Sequence, residues 1–261
     1  MVTAILVFSA WSASSAALPP ASSAHSAAAQ TENLRPRALP LYREGWVQMR
    51  SEAWEQAAKM FQQAIEIDPR FEDAYYGLGR ANMGLRRFDA AIAAYTKCQE
   101  MYKAEAGRQF ATRQDAQRYR QDRLTEIDAL LRELQSGPQT ALIQDRQRQL
   151  AQQRQQIQQN IDRSGNMTLS AGVPAFVSLA LGSAYFRAER LADAEKAYRM
   201  ALDADPSSGE IQNNLAVVYF TSGRYDEADK AVQAAEKAGF KVHPGLKDDI
   251  KKKKSGGLHH H

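Results

Sequence analysis

Residues 181–206 read LGSAYFRAERLADAEKAYRMALDADP, and residues 215–235 read LAVVYFTSGRYDEADKAVQAA. Laid over each other with a shift of 34 residues, they agree position by position. Gly182 is answered by Ala216, Tyr185 by Tyr219 and Ala194 by Ala228. The same pattern occurs nearer the N-terminus, in EGWVQMRSEAWEQAAKMFQQAIEIDP (44–69) and LGRANMGLRRFDAAIAAYTKC (78–98). Gly45 and Gly79 are again 34 residues apart, as are Ala57 and Ala91, and Phe61 and Tyr95. A fixed period of this length marks a chain built of stacked supersecondary units.

The recurring residues resemble the tetratricopeptide repeat (TPR), a 34-residue helix-turn-helix unit with L-G-x2-Y, then Ala, then an aromatic, then Pro. The resemblance covers residues 38–102 (repeats one and two) and 175–240 (repeats three and four). It implies an all-α fold, a right-handed superhelix of four repeats. Each recurring position has a physical role in that unit. The small residue at Gly45, Gly79, Gly182 and Ala216 lets the first helix approach the second, and Ala57, Ala91, Ala194 and Ala228 reciprocate. Phe61, Tyr95, Tyr198 and Val232 fill space against the next repeat. Pro69 and Pro206 stop the second helix. Two positions depart from the pattern: Glu44 stands where Leu is usual, and Lys103 where the terminating Pro would be.

Composition agrees with a helical, core-forming chain. Of 261 residues, 44% are hydrophobic and 25% charged, Gly and Pro are few, and Ala, Gln, Arg and Glu abound. A formal net charge of +4 is small for this length and weakly favours nucleic acid at most. The single cysteine, Cys98, excludes an intramolecular disulfide and a Cys-based metal site, and reads as a buried thiol on a packed helix.

The ends read differently. Residues 1–29 hold an apolar run from Val2 to Trp11, then Ala and Ser, with Ala27-Ala28-Ala29 as a small-x-small site. This fits an export signal or a disordered tail, and it is too short for a membrane span. Export implies a periplasmic or extracellular protein; without it the chain is cytoplasmic. Residues 30–37 form a linker, 241–254 a C-terminal capping helix, and 255–261 a linker and tag remnant.

Without a stop at Lys103 the second helix of repeat two can run on into an insertion, 103–174. Phe110, Arg113, Gln117, Arg120, Leu124, Ile127, Leu131 and Leu134 recur at three- and four-residue spacings, as do Ile143, Arg146, Leu150, Gln153, Ile157 and Asn160. Between them Gln135-Ser136-Gly137-Pro138 breaks the helix. Two such stripes predict an antiparallel coiled-coil hairpin, with the Gln and Arg residues of 147–163 on its solvated faces. Acidic residues interleave with the basic ones, and aromatics for base stacking are almost absent, which argues against nucleic acid. Asn166-Met167-Thr168 is formally a glycosylation sequon. Because two repeats rarely stand alone, repeats two and three are expected to pack on each other across the insertion.

The chain lacks G-x-S-x-G, H-E-x-x-H, P-loop and C-x-x-C motifs, so an enzyme is not expected and no cofactor or metal is implied. In TPR families the first helices line a concave groove that holds peptides. By that resemblance the groove residues are Tyr42, Trp46 and Met49; Tyr76, Arg80 and Met83; Leu179, Ser183, Phe186 and Arg187; and Asn213, Val217 and Phe220. Aromatics, Met and Arg are enriched at binding hot spots. The Lys/Asn/Arg set with which chaperone-type TPR domains hold a C-terminal carboxylate is not matched. The expected function is a protein–protein interaction adaptor, with the hairpin as a second contact surface. The alternative is a structural protein that self-associates through the hairpin.

Overall fold

The computed structural model describes residues 34–108, 110–163 and 172–256. The expected export segment (1–29), the sequon at 166–168 and the tag remnant from 257 onward lie outside the described residues. Within them there are eleven helices and no strand. They are α1 (Arg35–Arg50), α2 (Trp54–Ile67), α3 (Glu72–Gly84), α4 (Phe88–Ala106), α5 (Arg113–Gln135), α6 (Ala141–Arg163), α7 (Ala175–Arg187), α8 (Leu191–Ala204), α9 (Gly209–Thr221), α10 (Tyr225–Lys237) and α11 (Pro244–Gly256). None is long and apolar enough to cross a membrane.

Helices α1 to α4 and α7 to α10 form four helix pairs whose connecting turns are the same. Two residues past the end of each first helix stands a residue with positive φ: Glu52 (55°), Arg86 (58°), Glu189 (60°) and Gly223 (75°). At each turn that residue's N–H bonds back three residues and the next N–H bonds back five, as in Ala53 N to Gln48 O and Arg224 N to Tyr219 O. This is a Schellman-type ending, in which left-handed backbone lets two N–H groups satisfy the last carbonyls. Only Gly223 adopts that conformation without steric cost.

The pairs are held by a glycine-on-ring contact. A Cβ built on Gly45 would fall 2.6 Å from the Phe61 ring, and one on Gly77 of the following pair 2.5 Å from the same ring. Phe61 is therefore clasped by its own repeat and the next. Gly79 meets Tyr95, and Gly182 meets Tyr198, in the same way. Ala57, Ala91, Ala194 and Ala228 are all fully buried.

Each helix packs on its neighbour in sequence through α4, and α4 then packs along α7 rather than α5. The stack thus continues past the intervening segment. Gln99 of α4, buried, donates to Ser178 Oγ of α7 at 2.9 Å. Cys98 is buried beside it, and burial pushes its thiol well above the usual range. At the far end α11 covers α10, with Val242 and Ile250 in the core.

The second helix of the second pair does not run on into the inserted segment. It stops at Ala106 with Gly107 after it, and α5 starts afresh at Arg113, where Thr112 Oγ1 accepts Asp115 N–H at 3.1 Å. Thr is a strong N-cap, so the local sequence encodes a new helix start. Helices α5 and α6 pack on each other, and Asp128 and Arg154 pair between them at 2.7 Å.

Candidate functional site

The first helices α1, α3, α7 and α9 carry the residues expected to form a groove. Across the α1–α3 half lies α6, on a side of the helix that is largely polar. Ile143, Arg146, Gln149, Leu150 and Gln153 are buried there. Their spacing, three and four residues apart, puts them on one face. The expectation that the Gln and Arg residues of this helix face solvent therefore fails for Gln149 and Gln153, and the reason is the acidic and aromatic surface they meet.

Arg146 is the centre of the contact and is 1% exposed. Its guanidinium lies 5.3 Å from the Trp46 ring, 5.1 Å from Tyr76 and 5.7 Å from Phe176. The rings are themselves packed, with Tyr76 edge-on to Phe176 at 5.0 Å and stacked with Trp46 at 6.5 Å. Nη2 donates to Tyr42 Oη at 2.8 Å and pairs with Asp73 Oδ1 at 3.1 Å. A buried guanidinium persists only when paired and hydrogen-bonded, and here aromatic faces, a hydroxyl and a carboxylate do this together.

Asp73 collects the polar network. It accepts from Tyr102 Oη at 2.8 Å, and Tyr102 in turn accepts from Gln153 of α6. Arg123 of α5 lies 3.5 Å from Asp73 and 2.7 Å from Glu72. Burial alone would raise the Asp73 carboxyl, but Arg146, Arg123 and the Tyr102 hydroxyl outweigh it and hold it at about 2. Glu72 also binds Arg35 of α1 at 2.9 Å, and Arg35 reaches Asp68 at 2.7 Å. Glu126 of α5 pairs with Arg123 at 2.7 Å and with Arg35 at 3.7 Å. Burial pushes its carboxyl up despite these arginines.

The groove residues accordingly divide in two. Tyr42, Trp46, Met49 and Tyr76 are buried beneath or beside α6. Arg80 and Met83 are half-buried at its edge, where Arg80 Nη1 lies 3.7 Å from Asp145 of α6. Leu179, Ser183, Phe186, Asn213, Val217 and Phe220 are half-buried and Arg187 is exposed. Between α6 and the α7–α9 face a cleft of about 550 Å³ remains, lined by Arg80, Asp145, Gln149, Leu179, Ser183 and Glu210 among others.

Sequence reasoning missed Glu72, Asp73, Tyr102, Arg123, Gln149 and Phe176 as members of this site. Two signals were available. Arg146 and Gln153 occupy inward positions of the heptad stripe, and Glu72-Asp73 places two carboxylates in the first turn of a groove helix.

Residues 42–106 and 179–239 match the family model described as Tetratricopeptide repeat, together a little under half of the chain. No curated protein sequence matches the chain. Among solved structures, PilW, a widely conserved type IV pilus biogenesis factor, is 13% identical, with 85% of this chain and 87% of that one covered and a TM-score of 0.38. YrrB, a TPR protein with an unusual peptide-binding site, is 15% identical, covering 88% and 98%, with a TM-score of 0.29. A thermophilic TPR protein of Thermus thermophilus, TTC0263, is 18% identical, covering 85% and 99%, with a TM-score of 0.31. The helix pairs over residues 42–106 and 179–239 carry the tetratricopeptide repeat pattern, a module that generally mediates protein–protein interaction.

Proposed function

We propose that this chain is a non-enzymatic interaction adaptor that binds a polypeptide segment of another protein along the open half of the groove. The observation that carries the reading is the division of the groove. Its first half is filled by α6, while on the α7–α9 half Leu179, Phe186, Val217 and Phe220 stay partly exposed, and a cleft of about 550 Å³ lined by Leu179, Ser183 and Ile211 separates that half from α6. Half-exposed aliphatic and aromatic side chains next to a polar rim suit a peptide that buries alternate side chains and bonds through its backbone. Asn213 offers such bonds, and the cleft presents both signs of charge, Arg80 and Arg148 beside Asp145, Asp205 and Glu210. The outer faces of α5 and α6 supply a second contact surface.

Peptides selected from a random library against the wild-type chain test this. Phe186→Ala and Phe220→Ala are expected to weaken the selected peptides by about 2 kcal/mol, close to thirtyfold, with melting temperatures little changed. Selected peptides that bind both variants as tightly as wild type refute the assignment of the groove.

A further inference from the structure

The first half of the groove holds a ligand that belongs to the chain itself. Ile143 and Leu150, each buried, sit three residues before and four after Arg146 on the same face of α6 and join the core that contains Trp46 and Tyr76. They are the buried aliphatics of α6, whose other buried side chains, Arg146, Gln149 and Gln153, are polar, whereas α5 adds Ile127, Leu130 and Leu134 to the same core beside the ion pairs of Arg123 and Glu126 with Arg35, Glu72 and Asp73. The backbone of α6 packs chiefly on α5, and it reaches the repeats through long side chains. The contacts of α6, more polar than apolar, differ from a permanent core. Permanent interfaces are apolar, whereas polar and charged surfaces are rehydrated on separation at little net cost.

We propose that the α1–α3 half of the groove is a recognition site for an arginine-bearing amphipathic helix, occupied in cis by α6. It takes in trans a helix of a partner protein with the pattern aliphatic-x-x-Arg-x-x-x-aliphatic. The chemistry selects arginine over lysine. Three ring faces surround a planar guanidinium that binds a hydroxyl and a carboxylate at once, and a compact ammonium cannot satisfy both while stacking on the rings. A competing helix must supply the same group, because without it the ring faces and the Tyr42 hydroxyl would lose their cation and Asp73 one of its two arginines. This site shares a wall with the open half of the groove, since Asp145 and Gln149 of α6 line the cleft there, but it recognises arginine through groups that the open half does not use.

The test opens the cis site and offers the arginine back. Arg146→Glu in the full chain places a carboxylate against Asp73, Glu72 and three negative ring faces. Amide hydrogen exchange across 141–157 is then expected to rise at least tenfold over wild type, with α7 to α10 unchanged. A labelled, end-blocked peptide of residues 139–157 is expected to bind this variant at least tenfold more tightly than the same peptide carrying Arg146→Lys. Wild-type chain, its site filled, is expected to bind either peptide at least tenfold more weakly than the variant binds the arginine peptide. Equal binding of the two peptides, equal binding by wild type and variant, or unchanged exchange over α6 overturns the proposal. Should Arg146→Glu unfold the repeats, the full-chain Arg146→Ala variant carries the test. Arg123 and Tyr102 still satisfy its Asp73. N-ethylguanidinium at millimolar concentration is expected to raise its melting temperature while ethylammonium does not, and equal responses to the two cations again overturn the proposal.

Discussion

Asp73→Asn isolates the network that seats α6. The Asp73 carboxyl is held at about 2, against an ordinary value of 3.8. At about 1.4 kcal/mol per tenfold in acidity, this corresponds to about 2 kcal/mol of folding free energy. The sign follows from proton counts. Between those two values the unfolded chain binds a proton at this residue that the folded chain does not, so stability rises with pH through the window. The contribution is complete above about pH 4 and is lost as the pH falls toward 2. Asn cannot titrate, and the other carboxylates, Glu126 among them, are common to both chains. Urea unfolding of wild type and variant at steps from pH 6 to pH 2 therefore reads Asp73 by difference. The wild type is expected to be the more stable at pH 6, and the gap should narrow by about 2 kcal/mol on reaching pH 2. A gap constant over that range would show that neither Arg146 nor Arg123 holds the ionised carboxyl, and the account of the seat would be wrong.

Three further outcomes test the packing of the repeats. Phe61→Ala removes a fully buried ring clasped by Gly45 and Gly77 and is expected to cost about 3–5 kcal/mol in urea unfolding; a loss below about 1 kcal/mol would contradict the clasp. Ala194→Leu overpacks a fully buried position in α8 and is expected to cost about 1–3 kcal/mol, read as a lowered thermal midpoint. Gly223→Ala acts through the backbone alone, since the residue has φ of 75° and a Cβ there would meet nothing within 4 Å. It is expected to cost about 1 kcal/mol, whereas Glu189→Gly at the matching turn should be neutral or stabilising; a stabilising Gly223→Ala or a clearly destabilising Glu189→Gly would refute the shared turn geometry.

The repeats were legible because their determinants are local. Gly45, Gly79 and Gly182 each announce a ring at a fixed distance along the chain, Phe61, Tyr95 and Tyr198, and the contact closes within a single helix pair. The shared turn was missed because Glu52, Arg86 and Glu189 have little in common as side chains. What unites them is a backbone angle, which only Gly223 signals.

The sequence by itself determined that the chain forms helix pairs at a 34-residue period, which helices come first in each pair, and which of their residues share a face. It could not tell what that face meets. Periodicity placed Arg146 and Gln153 on the inner stripe of α6, where the pattern alone paired them with α5 in a hairpin and not with the groove of the repeats. Only the tertiary structure supplied the carboxylate of Asp73, the hydroxyl of Tyr42 and the three rings of Trp46, Tyr76 and Phe176, all distant from Arg146 in the chain. A charge can be buried where compensating groups converge from several helices, and that convergence is a property of the packed fold rather than of any one segment.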